Sequence, residues 1–253
     1  MQVHVLQLAY GDSESTSERV DRVAALVRAQ AGADLVVLPE LWPNGGFAYD
    51  TWEDGAQPLD GPVVTALQAA TRELGTTVHM GSFVERDATG RLFNTSVLLG
   101  PDGAVLTTYR KIHLFGFGEG EPKLMTPGDG PVVHGKLGLA TCYDLRFPEM
   151  FRALLDAGSE VVLMPAAWPA KRVEHWRLLS RARAVEDQSY VVACNTGGTH
   201  AGVPMGGHSM VVDPWGAVLA EAGDGEEVLV VALDDELVAR TRASFPVLAD
   251  RRL

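Results

Sequence analysis

The sequence predicts an α/β protein, a four-layer α-β-β-α sandwich with an internal pseudo-twofold repeat, formed by residues 1–253 as a single domain. Three observations predict it. The runs DLVVL (34–38) and VVLMP (161–165) are apolar without alternation, as strands covered on both faces are. Each follows a helical segment ending in Ala-Gly, and each runs into a related turn, LPELWP or MPAAWP. Further along, YVVACN stands as far beyond TVHMGS as VVDPWGAVL stands beyond LLGPDGAVL, so strand and hairpin recur in register. Two sheets of similar topology, packed face to face with helices outside, satisfy all three.

In chain order, Val3–Ala9 reads as the first strand, and the Ser/Asp/Glu-rich loop Gly11–Glu18 caps a helix reaching about Gln30. Val20, Val23, Ala24 and Val27 form its apolar face. The strand Asp34–Leu38 stops at Pro39 and Glu40, and a loop with Pro43, Asn44, Gly45 and Gly46 follows. Next come a helix from Pro62 to Leu74, a strand from Thr77 to Val84, and a hairpin from Asn94 to Tyr109 turning at Pro101-Asp102-Gly103. The second half begins with the short strand Leu137–Ala140, which runs through Thr141 into Cys142, and Pro148 opens the helix behind it. The helix Val173–Val185 and the strands of YVVACN and VVDPWGAVL complete the repeat. The halves are thus about 1–109 and 137–233, followed by a C-terminal tail.

Composition narrows the partners. Hydrophobic residues make up 46% of the chain and charged residues 21%, enough for a full core. Lys and Arg total 21 against 33 Asp and Glu, and a net charge of −12 is wrong for a nucleic-acid backbone binder. The two cysteines, Cys142 and Cys194, need no disulfide framework and point to a reducing compartment. No apolar run reaches about 18 residues, and no secretory leader opens the sequence. A cytoplasmic protein with no membrane partner is expected.

The scaffold is duplicated, but its ionisable residues are not. Where one half has Glu40, the other has Ala166. Lys111 and the loop GFGEGEP lie between the halves and have no counterpart. A thiol attacks only as thiolate, so Cys142 needs a base for its proton or a cation for its charge. Glu40 is the candidate base, and Lys111 is the candidate cation and oxyanion stabiliser. Each residue alone also has an ordinary reading, as a capping carboxylate, a surface ammonium or a buried inert thiol. None of the seven histidines sits in a context that marks it as catalytic, and His113 reads as structural support. No C-x-x-C or H-x-x-x-H occurs, so no metal site is expected, and GFGEG is no dinucleotide fingerprint. That loop reads as a mobile cover over the site. Cys194 reads as core, and Asp144 and Arg146 read as polar braces of the Cys142 turn.

Three stretches in order, LPELWP, YRKIHLF and CYDLRFPE, resemble the motifs of the carbon-nitrogen hydrolase (nitrilase) superfamily. The resemblance spans nearly the whole chain, and HWRLLSRARAVEDQSYVVACN with GHSMVVDPWGAVLAEAG is similar to its omega-amidase branch. It implies the same sandwich fold, a Glu-Lys-Cys triad on Glu40, Lys111 and Cys142, no cofactor, and pairing into a homodimer or higher homo-oligomer. It implies a thiol-dependent amidohydrolase in which a small carboxylate-bearing amide is cleaved through a Cys142 thioester and ammonia leaves. The backbone N–H of Tyr143 would share the oxyanion with Lys111. A second glutamate expected ahead of Pro127-Gly128 falls on Glu121, with Glu119 as the alternative. Tyr143 and Asp144 after the nucleophile, in place of Trp-Glu, favour an amide over a nitrile. Lys171 or Arg172 would hold the substrate carboxylate, with Trp168 beside them. An N-carbamoyl-amino-acid hydrolase, a nitrile hydrolase and a catalytically silent binding member are the competing readings.

Overall fold

The computed structural model describes residues 1–252 and builds them around two six-stranded sheets. The first part of the chain supplies β1 (Gln2–Gln7), β2 (Ala9–Tyr10), β3 (Leu35–Val37), β4 (Thr77–Arg86), β5 (Leu92–Leu99) and β6 (Val105–Arg110). The second supplies β7 (Val132–His134), β8 (Leu137–Leu139), β9 (Val161–Pro165), β10 (Tyr190–Cys194), β11 (Gly197–His200) and β12 (Val203–Pro204). The last three are β13 (Met210–Val212), β14 (Val218–Glu221) and β15 (Glu227–Ala232). The helices are α1 (Thr16–Arg28), α2 (Tyr49–Gly55), α3 (Pro62–Leu74), α4 (Glu121–Leu124), α5 (Pro148–Asp156), α6 (Val173–Asp187) and α7 (Leu237–Ser244).

The sheets run β15-β1-β3-β4-β5-β6 and β7-β8-β9-β10-β13-β14, so β3 and β9, β4 and β10, β5 and β13, and β6 and β14 hold equivalent places. These are the pairs that the sequence repeat matches. Each sheet has three parallel strands at its centre, as β-helix-β connections require. Each is closed on the first-strand side by an antiparallel strand, β15 against β1 and β7 against β8. β15 comes late in the chain but belongs to the first sheet, so the sheets divide the sequence differently from its halves.

Alternate residues of β3 explain its unbroken apolar run. Val36 joins Val20, Val23 and Val27 of α1 and Val64 and Leu67 of α3 in one buried cluster. Leu35 and Val37 join Val3, Leu139, Leu163 and Ala193 in the other, between the sheets. Both faces are therefore dry, and the layers run α, β, β, α. α1 starts where the loop predicts, at a capping box in which Glu18 N donates to Ser15 Oγ at 3.3 Å and Ser15 N donates to Glu18 Oε2 at 3.0 Å. Among the described residues, no helix is long and apolar enough to cross a membrane.

Candidate active site

The site is assembled from strand ends of both sheets. Glu40 follows β3, Lys111 follows β6 and Cys142 follows β8. Glu40 N donates to Ala166 O at 3.4 Å, joining the equivalent turns after β3 and β9. Cys142 opens a 3-10 turn with φ +47°, a left-handed conformation that costs a non-glycine residue on the order of 1–3 kcal/mol. Asp144, fully buried, locks that turn. It accepts Thr141 N at 2.8 Å, the Tyr109 hydroxyl at 2.6 Å, His113 N at 3.1 Å and His113 Nδ1 at 2.7 Å. The His113 ring stacks on Phe147 at 3.8 Å, so this histidine supports the turn. Asp144 braces the nucleophile as the sequence suggests.

Four buried polar side chains form the centre. Lys111 Nζ lies 2.8 Å from Glu40 Oε1, 2.9 Å from Glu121 Oε1 and 2.8 Å from Glu121 Oε2. Asn94 Nδ2 donates to Glu40 Oε1 at 2.8 Å and to Glu121 Oε1 at 2.7 Å. Backbone donors complete the set: Ala167 N reaches Glu40 Oε2 at 2.8 Å, and Phe115 N reaches Glu121 Oε2 at 2.6 Å. A carboxylate has about four acceptor positions. Those of Glu121 are all used, whereas Glu40 keeps one open on Oε2. Glu119 is exposed and pairs with Lys123 at 2.9 Å, so it is Glu121 that meets Lys111. The backbone after Lys111 is held by Gly128 N, which donates to Lys111 O at 3.0 Å. A Cβ at Gly128 would meet Arg110 O at 2.0 Å, which is why the approach needs glycine.

Electrostatics set the resting protonation. Burial alone would drive Lys111 neutral, but the charges of Glu121 and Glu40 outweigh it and hold the ammonium well above its ordinary range. Burial and then the Glu40 charge push the Cys142 thiol well up, against the opposing pull of Lys111. Burial raises Glu121 as well, with Lys111 opposing. At neutral pH the sulfur is therefore a thiol, and its proton must leave during attack.

The thiol faces a narrow, partly open cleft. Phe47, Phe115, Tyr143 and Trp168 give it aromatic walls, and Arg146 and Arg172 also line it. Cys142 is 8% exposed, while Cys194 is 0% exposed, with its sulfur against Leu6 O at 3.3 Å. Cys194 is core, as expected. Arg146 lies over the Trp168 ring at 4.7 Å and Arg172 over the Phe115 ring at 5.2 Å. Among the described residues, neither guanidinium forms an ion pair with a carboxylate. Burial and the neighbouring Arg146 charge lower the Arg172 pKa, so an anion here would be welcome to both. Arg146 thus faces the cleft, where the sequence suggested a brace for the turn. Lys171 is exposed and lies outside the lining, while Trp168 Nε1 donates to Arg172 O at 2.8 Å and steadies that loop. In the GFGEG loop, Phe117 is 84% exposed beside Phe115 and Tyr143.

Trp168 and Tyr143 are among the residues the sequence marks, whereas Asn94, Arg146, Phe47 and Phe115 are not marked as site residues. Asn94 had a signal, since an asparagine inside the apolar strand LFNTSVLL is out of place there. Phe47 and Phe115 had none, because a loop aromatic reads alike over a cleft or over a core.

Comparison with known proteins agrees with this geometry. The carbon-nitrogen hydrolase family model matches residues 2–243. A 2-oxoglutaramate amidase of Paenarthrobacter nicotinovorans is 43% identical, covering 100% of this chain and 90% of that protein. A mouse omega-amidase is 36% identical, covering 95% and 91%. Among solved structures, an amidase mutant from Nesterenkonia sp. AN1, with acrylamide added at its active-site cysteine, superposes with a TM-score of 0.83. That structure is 26% identical and covers 98% of this chain and 99% of its own. The chain belongs to the carbon-nitrogen hydrolase family. It is an amidohydrolase of that family, whose typical chemistry runs through a thiol.

Proposed function

We propose that the chain hydrolyses the terminal amide of a short dicarboxylic acid monoamide, releasing ammonia through a thioester on Cys142. One observation carries the reading: a single cleft exposes the Cys142 thiol and two guanidiniums that lack carboxylate partners among the described residues. The name of the 43% identical relative, a 2-oxoglutaramate amidase, supports the same class.

The substrate carboxylate binds Arg172 and Arg146, which brings the amide carbonyl to the sulfur. Glu40 Oε2, with its open acceptor position, takes the thiol proton as Sγ attacks the carbon. The negative charge leaves Glu40 and appears on the carbonyl oxygen. Lys111 and Tyr143 N–H receive it there. One Lys111 hydrogen shared between the two Glu121 oxygens leaves a donor for this purpose, and losing one such donor costs roughly 3 kcal/mol. Collapse breaks the C–N bond, Glu40 returns its proton to the nitrogen, and ammonia departs. Water, deprotonated by the same carboxylate, then cleaves the thioester and restores the thiol. The steps need no metal or organic cofactor. Action as a single-domain, cytoplasmic homodimer belongs to the same reading.

A substrate panel tests it, with ammonia release measured on succinamate, glutaramate, 2-oxoglutaramate, butyramide, an N-carbamoyl amino acid and a simple nitrile. Carboxylate-bearing amides should exceed butyramide by about 100-fold in kcat/KM, the worth of a buried charge-assisted pair of hydrogen bonds. Equal turnover of butyramide, or a preference for the carbamoyl or nitrile compound, would overturn the proposal.

A further inference from the structure

Asn94 is 1% exposed, and its amide lies between two carboxylates. Its Oδ1 has no hydrogen-bond partner among the described residues. Turning the amide over would satisfy nothing, because Oδ1 would then press against Glu40 Oε1 and Glu121 Oε1. The orientation is therefore fixed, and a buried carbonyl oxygen is left orphaned, which folded proteins generally avoid. The strand does not require it either. Asn94 serves β5 through its backbone, whose oxygen accepts Lys111 N at 2.9 Å. The side chain must be there for the carboxylates.

We propose that Asn94 is a positioning residue whose two N–H groups direct the Cys142 proton to Glu40 Oε2. Lys111 and Asn94 together fill Glu40 Oε1, and Ala167 N takes one of the two positions on Oε2. One acceptor position remains on Glu40, on the oxygen next to the cleft-lining Ala167. Without Asn94, Oε1 gains an open position that competes with Oε2 for the proton. Asn94 also ties Glu40 to Glu121, two like charges sharing one ammonium. The charged and titratable groups around it are Glu40, Glu121, Lys111 and Cys142, with Tyr49 nearby, its phenol pushed up to about 12 by burial.

This rests on Glu40 acting as the base, so the test uses one readout that needs no amide substrate. Asn94→Asp keeps the shape but sets a third carboxylate between Glu40 and Glu121, Asn94→Leu removes polarity at similar volume without adding charge, and Asn94→Ser keeps one hydroxyl donor. For Asp and Leu, kcat should fall by about 100-fold while KM stays within about threefold, the pattern of an interaction felt in the reaction step. Fewer hydrogen bonds to a carboxylate raise its proton affinity, so the acid limb of kcat/KM should move to higher pH. The pH profile of Cys142 alkylation by iodoacetamide should move the same way, with Asn94→Ser intermediate in both. Folded Asp and Leu variants with unchanged kcat and unmoved profiles would overturn the proposal. If Asn94→Leu fails to fold, Asn94→Ser, which adds no charge, decides. Wild-type protein inactive on every amide would count against the proposed function alone, since the alkylation profiles still decide the role of Asn94.

Discussion

Lys111 Nζ sits 2.8 Å from Glu121 Oε2 and 2.9 Å from Oε1, with both side chains almost wholly buried. Glu121 accepts hydrogen bonds from Lys111, Asn94 and Phe115 N, and losing it leaves Lys111 with Glu40 alone, at a cost of about 3 kcal/mol. Glu121→Ala should therefore lower the urea midpoint accordingly and abolish most activity, and Glu121→Gln should do less to stability. Glu119→Gln touches only an exposed pair with Lys123 and should change stability by less than about 0.5 kcal/mol. Urea titrations of the three variants, with ammonia release at saturating substrate, make the comparison. Equal effects at 119 and 121 would remove Glu121 from the site.

Glu40→Gln should separate thiol ionisation from catalysis. The Glu40 charge helps hold the Cys142 pKa up, so its removal lets the thiolate form at lower pH. Turnover should nevertheless fall by about 10²–10⁴-fold, because the base is gone. Thiolate absorbance against pH and kcat, measured on the same preparation, read both. A variant with more thiolate and unimpaired turnover would mean that Glu40 is not the base.

Arg172→Ala and Arg146→Ala should each raise KM for a carboxylate-bearing amide by about 10–100-fold, as a lost charge-assisted hydrogen bond does. For butyramide KM should hardly move. Lys171→Ala, at an exposed position outside the cleft, should leave both unchanged. A KM effect at Lys171 larger than at Arg172 would reverse the assignment.

Asp187 gives a stability signature away from the site. Burial pushes its pKa up to about 6, despite Arg152 at 2.9 Å. The folded protein then holds this proton more tightly than the unfolded chain, so the group's contribution to stability falls as pH rises from about 4 to 6. The full change is on the order of 3 kcal/mol, from a shift of about two units. Asp187→Asn should remove this component and flatten the urea midpoint over that range relative to wild type. Parallel curves for the two proteins would contradict the assignment.

The sequence carried the architecture because duplicated strands buried on both faces leave long apolar runs, and two such runs in register declare two sheets. β2, β11 and β12 are not legible, since AY, GGTH and VP show neither the apolar run that marks β3 and β8 nor an alternation. β15 could not be placed from sequence, because which sheet an edge strand joins is settled by tertiary pairing. Glu40, Lys111 and Cys142 were legible as chemistry without a counterpart in the repeat. The choice between Glu119 and Glu121 was not legible: two glutamates in one loop differ only in which is buried, and the turn Gly116–Gly120 decides that by returning Glu121 N to Phe115 O at 3.2 Å. The place of Arg146 is not legible for a similar reason, since its side chain leaves the turn it belongs to and lies on Trp168.

Cys142 carries the acyl group in the proposed mechanism. Rapid-quench intact mass during turnover of 2-oxoglutaramate or succinamate, followed by peptide mapping, tests it most directly. A transient adduct of the acyl mass is expected on the peptide holding Cys142, formed with one equivalent of ammonia and absent in Cys142→Ala, which releases none. Ammonia release by Cys142→Ala at the wild-type rate, or an adduct on Cys194, would contradict it.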